Sequence, residues 1–247
     1  MFNLVPLLIS CLVTILVIAI MLRMKKALPL DHPNYRSLHE TPIPRTGGVG
    51  IMLGAACGWA LIWPSAVMPV LGLTLALSAL SLLDDFRGLP VALRFGMQIA
   101  AAALLIWLLP PLPGGFAAAA TAVFALTWMT NLYNFMDGSN GLAGGMAFFG
   151  FGFYALAAWQ GGATTFAMTT ATIVAASAGF LVFNFHPARI FMGDAGSIPL
   201  GFLAAALGLA GWQEGLWPLS FYLCDHRNPR LIPPRTARDA HRITGSR

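Results

Sequence analysis

Aspartates with polar neighbours are the part of this sequence best suited to chemistry. Asp84 and Asp85 are adjacent in Asp-Asp-Phe-Arg, Asp137 precedes Gly-Ser-Asn-Gly, and Asp194 lies in Phe-Met-Gly-Asp-Ala-Gly-Ser. Carboxylate and amide oxygens suit Mg²⁺, and arginines suit phosphate groups. Arginines are interspersed with these motifs: Arg36, Arg45, Arg87, Arg94 and Arg189. Metal ligands together with phosphate ligands predict phosphoryl transfer, in which positioning and charge neutralisation supply most of the catalysis.

The composition excludes an ordinary water-soluble domain. Of 247 residues, 57% are apolar and 9% are charged, whereas soluble domains carry about 25% charged residues. The 3 cysteines form no Cys-x-x-Cys, which excludes a disulfide framework and a cysteine zinc site. Because irregular backbone cannot face lipid, the predicted fold class is all-α, a polytopic membrane helical bundle.

Apolar stretches predict about eight spans, since a bilayer core of about 30 Å needs roughly 20 apolar residues per helix. Residues Gly215 to Leu223 are predicted to be the start of a ninth, truncated span. In the second predicted span, glycines recur every fourth residue from Gly50 to Gly58, which indicates close helix packing rather than a phosphate loop. The eight spans are Leu4–Leu22, Gly47–Trp63, Ala66–Leu83, Val91–Leu109, Phe116–Tyr133, Leu142–Trp159, Ala163–Phe183 and Ile198–Trp212.

Lysine and arginine lie on one set of connections, and the other set up to Gly215 has none. The positive-inside rule therefore predicts that the basic set is cytoplasmic and that the N-terminus lies outside. The aspartates fall at the same predicted face. Solvated helix ends are the alternative for any single aspartate, but the outer ends of the same helices lack this chemistry. At a helix C-terminus, the dipole disfavours Asp84 and Asp85, so we expect a compensating cation beside them.

The motifs resemble those of the polyprenyl-phosphate N-acetylhexosamine-1-phosphate transferases, glycosyltransferase family 4. They occur in the family's order and spacing from Asp31 to about Leu200. One stretch resembles the first cytoplasmic loop of the undecaprenyl-phosphate GlcNAc-1-phosphate and O-antigen initiating branch, rather than that of the peptidoglycan enzyme. It reads Asp31-x-Pro33-Asn34-x-Arg36-Ser37-x-His39, followed by Pro44-Arg45 and Gly47-Gly48.

The resemblance implies transfer of a sugar 1-phosphate from a UDP-N-acetylhexosamine to undecaprenyl phosphate, with release of UMP. It implies Mg²⁺ as the cofactor, with Mn²⁺ as the alternative ion. The expected location is the bacterial inner (plasma) membrane, with the active site on its cytoplasmic face, and the product would initiate lipopolysaccharide, O-antigen or other envelope glycan synthesis. No nucleic-acid partner is expected, and a homo-oligomer is left open.

The resemblance also implies roles for individual residues. Asp84 and Asp85 match the catalytic pair, one of which would deprotonate the lipid phosphate; a covalent Asp intermediate and a single-step attack both stay open. Asp194 matches the principal metal ligand. Asn134 matches a second ligand or a diphosphate contact, with a helix cap as the alternative.

Further residues match substrate contacts. Arg94 is expected to contact the phosphates; the alternative is that its side chain extends to the membrane surface from near the end of a span. Gln98, one turn later, is expected to form a hydrogen bond between helices. Uridine-side contacts are implied for Asn184 and for the stretch from Asp137 to Asn140. Including the phosphate candidates of the first loop, the predicted substrate-binding residues are Arg94, Asn131, Asp137, Asn140, Asn184, Arg36, His39 and Arg45.

The sequence departs from the family at two places. Asn140 replaces the second aspartate of Asp-Gly-x-Asp-Gly, and its amide both donates and accepts hydrogen bonds. Residues 1–223 are predicted to form the membrane-embedded transferase domain. Residues 224–247 carry six arginines and no lysine, which predicts an aberrant, frameshifted or disordered end; a short regulatory tail is the alternative.

Two other functional classes are alternatives to the transferase. A secondary transporter would place ionisable groups near the bilayer midplane, but the central thirds of the predicted spans carry no charge. An inactive, C-terminally truncated remnant of the transferase is the second alternative, because the family's cytoplasmic His/Arg loop is not recognisable here.

Overall fold

The computed structural model describes residues 3–24, 28–31, 33 and 42–217. Two short strands, β1 (Leu30–Asp31) and β2 (Ile43–Pro44), pair in antiparallel register, and a 3₁₀ turn covers Ser65–Val67. The described helices are α1 (Val5–Arg23), α2 (Gly47–Ile62), α3 (Met68–Arg87), α4 (Val91–Leu108), α5 (Gly115–Phe135), α6 (Leu142–Gln160), α7 (Thr164–Asn184) and α8 (Asp194–Gln213).

The predicted polytopic all-α bundle is confirmed. Seven helices are long and apolar enough to cross a membrane, whereas α2 has 16 residues and is about 24 Å long at 1.5 Å per residue. Most of the predicted ninth span and the whole tail at 224–247 lie outside the described residues.

Helices α7 and α8 form the centre of the bundle. Of the most apolar 18-residue segment of each helix, 72% is buried inside the protein in α7 and 78% in α8. The corresponding share is 17% in α4 and in α5. Helix α7 contacts α1, α2 and α6, while α8 contacts α3 and α5. The outer helices instead present exposed Leu, Phe and Trp side chains, as expected of helices that face lipid.

The glycine stripe of α2 packs against α1, as predicted. A Cβ on Gly50 would lie 2.7 Å from Ile18 Cγ1, and one on Gly54 would collide with Thr14 Oγ1. Because the glycines allow this approach, the Thr14 hydroxyl donates a hydrogen bond to the Gly50 carbonyl at 3.1 Å.

Helix α8 begins at Asp194, four residues before the predicted Ile198. An aspartate in the first turn is favoured by the helix dipole, and Gly193 ends the preceding loop with φ of 69°. Pro199 lies inside α8 and has no N–H for the carbonyl of Ala195. The Ser78 hydroxyl of α3 donates to this carbonyl at 2.7 Å, so a side chain replaces the missing backbone bond.

Candidate active site

One end of the bundle, called here the site end, gathers the C-termini of α1, α3, α5 and α7 and the N-termini of α2, α4, α6 and α8. Its framework is a backbone ladder between the loop before α2 and the loop before α8. Phe191 N donates to Pro44 O, Gly47 N to Phe191 O and Gly48 N to Met192 O, each at 2.8 Å. The first N–H groups of α2, which have no partner inside a helix, therefore hold the segment that leads into Asp194.

Glycines allow the two loops to approach this closely. A Cβ on Gly48 would collide with the backbone of Gly196, and one on Gly193 would collide with the carbonyl of Arg45. Gly193 also has a positive φ of 69°, a conformation that L side chains rarely adopt. The entry into α8 is therefore fixed by backbone contact.

Asp137, in the loop after α5, holds the same segment from the other side. Its Oδ2 accepts a hydrogen bond from Gly193 N at 2.6 Å, and its Oδ1 accepts one from Met192 N at 3.3 Å. Burial raises the pKa of the Asp137 carboxyl above its usual value, and these N–H groups oppose the rise. Asp137, predicted to contact substrate, thus binds the loop that carries Asp194; a substrate contact for it stays a prediction.

Arg94 joins carboxylates from two helices. Its Nη1 lies 3.1 Å from Asp84 Oδ2 and 3.3 Å from Asp194 Oδ2. The other oxygen of Asp84 accepts a hydrogen bond from Leu89 N at 2.6 Å. The side chain of Arg94 therefore turns toward the acidic residues and is only 34% exposed.

Asp85 points into the protein and its side chain is 1% exposed. Its Oδ2 accepts a hydrogen bond from Ala195 N at 3.2 Å, at the positive end of the α8 dipole. Its Oδ1 lies 3.8 Å from Arg45 Nε and has no hydrogen-bond partner among the described residues. Arg94 and Arg45 are thus the compensating cations predicted for the Asp84–Asp85 pair.

The asparagines of α5 contact side chains on its two neighbours. Asn134 Oδ1 accepts a hydrogen bond from Ser197 Oγ at 2.6 Å, which brings Asn134 to the first turns of α8. Asn131 Nδ2 donates to Gln98 Oε1 of α4 at 2.6 Å, so Gln98 forms the predicted hydrogen bond between helices. Ser197 was given no role from the sequence, although its position one turn after Gly193 could have suggested one.

The remaining predicted substrate residues lie around the loop after α7. Asn140 Nδ2 is 2.8 Å from His186 Nδ1. Asn184 is 1% exposed; it accepts a hydrogen bond from Gly141 N and donates one to Ile190 O. Because Asn184 is buried and both ends of its amide already make a hydrogen bond within the protein, a uridine contact for it stays a prediction. Arg36 and His39 lie outside the described residues.

The described part of the chain holds no group of three or more His, Cys, Asp or Glu side chains arranged around a metal. Mg²⁺ is commonly bound through one or two carboxylates and keeps several waters. The buried and unpartnered Oδ1 of Asp85, together with Asp194 and the amide oxygen of Asn134, supplies donors of the type that Mg²⁺ prefers.

A narrow pocket continues from Asp84 and Arg94 between α3, α4 and α8. Its inner wall is apolar and its outer end is charged; besides these two residues, it is lined by Leu77, Leu80, Ser81, Met97, Gln98 and Ile198. Its free space is about that of a single water molecule.

Comparison with known proteins agrees with the resemblance of the motifs. The family model Glycosyl transferase family 4 matches residues 67–211. The chain is 31% identical over 202 residues (76% of this chain, 56% of the relative) to the "Probable undecaprenyl-phosphate N-acetylglucosaminyl 1-phosphate transferase" of Bacillus subtilis.

Two further relatives carry the name Phospho-N-acetylmuramoyl-pentapeptide-transferase. The protein of Moorella thermoacetica is 33% identical over 239 residues, which cover 82% of this chain and 73% of the relative. That of Geobacillus thermodenitrificans is 32% identical over 197 residues, 67% of this chain and 60% of the relative. The chain thus spans 56% and 60% of the length of two of these three relatives. With more than half of its residues matched by the family model, this multi-pass membrane protein belongs to glycosyl transferase family 4.

Proposed function

We propose that the chain transfers a sugar 1-phosphate from a UDP-N-acetylhexosamine to a polyprenyl phosphate, undecaprenyl phosphate in bacteria, and releases UMP. The observation that carries the proposal is the meeting of Asp84, Asp85 and Asp194 with Arg94 and Arg45 at one end of the bundle. Acidic groups that suit a metal and basic groups that suit phosphates are the requirements of phosphoryl transfer.

In the proposed reaction, an oxygen of the lipid phosphate attacks the phosphorus that bears the sugar. A new P–O bond forms there, and the bond from that phosphorus to the bridging oxygen breaks, so that UMP leaves with the bonding electrons. Where the lipid phosphate still carries a proton, the carboxylate of Asp84 or Asp85 accepts it. Arg94 and Arg45 reduce the repulsion between the two phosphate groups.

Asp194 and Asn134 are proposed to hold Mg²⁺, or Mn²⁺ in its place. When bound, the ion would neutralise charge on the diphosphate. Ser197 orients the amide of Asn134 through its hydrogen bond, and Asp137 fixes the loop that positions Asp194. These two residues would act on the site through the groups that they hold.

The surface of α3 and α4 on either side of Arg94 is proposed as the seat of the acceptor lipid. Arg94 would receive the phosphate, and exposed apolar side chains such as Leu80 and Leu93 would contact the first isoprene units. The remainder of a long polyprenyl chain would lie in the bilayer against the exposed apolar faces of α3 and α4.

The site end is proposed to face the cytoplasm of a bacterial plasma membrane. Every Lys or Arg in the described ranges lies on this end, at positions 23, 45, 87, 94 and 189, and basic residues favour the cytoplasmic side. UDP-sugars are water-soluble substrates, so they would reach a site on this face directly.

For the sugar, we propose UDP-GlcNAc as the first substrate to test. The stretch that begins at Asp31 resembles the GlcNAc and O-antigen branch, and one relative's name includes N-acetylglucosaminyl 1-phosphate. Relatives named for phospho-N-acetylmuramoyl-pentapeptide transfer match at similar identity, so the precursor UDP-MurNAc-pentapeptide is the competing substrate.

The test is UMP release by the full chain in detergent with Mg²⁺, a short-chain polyprenyl phosphate and either UDP-sugar. We expect release that requires both substrates, stops with EDTA and is lost in Asp85→Asn. The matched control is Glu214→Gln, which removes an acidic group at the opposite end of the bundle. Folded protein that releases no UMP with either sugar would contradict the proposal and favour the inactive remnant.

A further inference from the structure

The segment Ile190–Gly193, which leads into Asp194, is held along one edge by backbone groups and along the other by side chains. The backbone groups belong to the loop before α2 and to the first turn of that helix. The side chains are those of Asp137 and Asn184. Because Asp137 lies in the loop after α5 and Asn184 is the last residue of α7, two separate elements hold this second edge.

Asn184 uses both ends of its amide here. Its Nδ2 donates a hydrogen bond to Ile190 O at 2.9 Å, and its Oδ1 accepts one from Gly141 N at 3.0 Å. Gly141 N also donates to the backbone carbonyl of Asn184, so the bond to Ile190 O is the one that depends most on the side chain. An amide suits this place because it carries a donor and an acceptor on one short side chain.

The hydrogen bonds of Asn184 and Asp137 close a ring of contacts. Gly141 lies in the same loop as Asp137, and Asp137 accepts a hydrogen bond from Gly193 N. The chain then runs back from Gly193 to Ile190, whose carbonyl accepts the hydrogen bond from Asn184. Asn184 is 1% exposed and Ile190 is fully buried. Removing the Asn184 amide would therefore open the ring and leave the Ile190 carbonyl buried without this donor.

We propose that Asn184 is a positioning residue for Asp194, which acts by holding the preceding segment to α7, and that it does not contact the uridine. This inference rests on the proposed function, because it takes from it the role of Asp194 as a metal ligand. Residues that support a metal ligand typically contribute 10- to 100-fold to metal affinity or activity. Asn184 would thus raise the affinity for the ion and leave the affinity for the nucleotide unchanged.

The experiment separates metal binding from nucleotide binding, using the full chain in detergent. Electron paramagnetic resonance measures Mn²⁺ affinity without nucleotide, and isothermal titration calorimetry measures UMP affinity in EDTA. In Asn184→Ala, which adds no charge, Mn²⁺ should bind about tenfold more weakly, while UMP affinity stays within about twofold. At saturating Mg²⁺, kcat for UMP release should fall about tenfold and KM for the UDP-sugar should stay within about twofold.

Thr170→Val is the matched control. Thr170 is fully buried in the same helix, and its hydroxyl donates to Phe166 O and Ala167 O within α7. The change removes a buried polar group of α7 at nearly constant size, so Mn²⁺ affinity and kcat should equal those of the unaltered chain. A lower thermal midpoint in Asn184→Ala with unchanged Mn²⁺ affinity and kcat would show a merely structural role and overturn the proposal.

The remaining outcomes separate this inference from the proposed function. Weaker UMP binding in EDTA by Asn184→Ala would assign the amide to the uridine and overturn the proposal. Absence of saturable Mn²⁺ binding in the unaltered chain would overturn both the proposed metal site and this inference. Absence of UMP release from an unaltered chain that binds Mn²⁺ would overturn the proposed reaction alone. Should Asn184→Ala not fold, Asn184→Ser takes its place in the same measurements, with the same expected results.

Discussion

At the site end of the bundle the loops hydrogen-bond to one another, whereas at the opposite end α2, α4 and α6 finish with bonds inside their own last turns. Trp63 N donates to Trp59 O, Leu109 N to Leu105 O and Gly161 N to Ala157 O. The site end instead joins residues far apart in sequence, as in Gly48 N to Met192 O. Ending a helix needs only local bonds, but placing charged groups from several helices needs a common frame.

The largest effect should come from charge at the site end. We expect Asp194→Asn to lower UMP release at least about 100-fold, since even residues that only support metal ligands typically contribute 10- to 100-fold. The thermal midpoint should change little, because Asn is nearly the same size. The comparison variant Glu214→Gln, at the opposite end, should retain activity; equal losses in both would show that the two ends do not differ as proposed.

Gly193→Ala tests the common frame itself. An alanine here would meet the Arg45 carbonyl. We expect a loss of about 1–3 kcal/mol from a backbone conformation (φ 69°, ψ 174°) that is essentially restricted to glycine, and about 1–3 kcal/mol more from overpacking. Gly215→Ala is the matched control, because Gly215 has a similar φ of 72° but open space around it. Thermal unfolding in detergent measures both, and similar midpoints for the two variants would show that the approach to Arg45 is not tight.

Ser78→Ala should remove the hydrogen bond that replaces the one lost at Pro199. Leaving the Ala195 carbonyl unpaired should lower the free energy of unfolding by about 1 kcal/mol. Thr121→Ala serves as the control, because the Thr121 hydroxyl bonds only to Ala117 O of its own helix and is exposed; this change should stay within about 0.5 kcal/mol. Unfolding in detergent that ranks Thr121→Ala as the more damaging change would contradict this account of α8.

Asn140→Ala should have the smallest effect on stability, below about 0.5 kcal/mol, because its contact with His186 is exposed. If Asn140 contacts the uridine as predicted, KM for the UDP-sugar should rise severalfold while KM for the lipid phosphate stays constant. Steady-state UMP release measures both values. A change confined to the lipid KM would assign Asn140 to the other substrate.

Much of the fold could be predicted from the sequence, because apolar length and turn residues determine where membrane helices lie. Span bounds such as Val91–Leu109 differ from the structure by a single residue. Convergence of the aspartates followed from their positions at one set of helix ends. The individual roles of Asp84 and Asp194 came from the resemblance and stay predictions.

The hydrogen-bond partners could not be predicted, because they depend on how the helices pack. Nothing in the spacing indicates that Ser197 contacts Asn134, or that Asn184 forms hydrogen bonds with Gly141 and Ile190. The predicted start of α8 lies four residues after the observed one, because Asp194 and Gly196 interrupt the apolar stretch. In the structure, hydrogen bonds from α2 and to Asp137 fix the loop before α8, so the helix begins at Asp194 although the apolar stretch begins later.

The hydroxyl of Ser78 and the ring of Pro199 also carry a consequence for how sequences of this kind diverge. The proline leaves one carbonyl of α8 without an N–H, and the serine supplies the donor from α3. A relative with another residue at the position of Pro199 would satisfy that carbonyl within α8 and would no longer need a hydroxyl on α3. The two positions, 121 residues apart in the chain, should therefore change together, and a proline retained without its hydroxyl should be the rarest of the combinations.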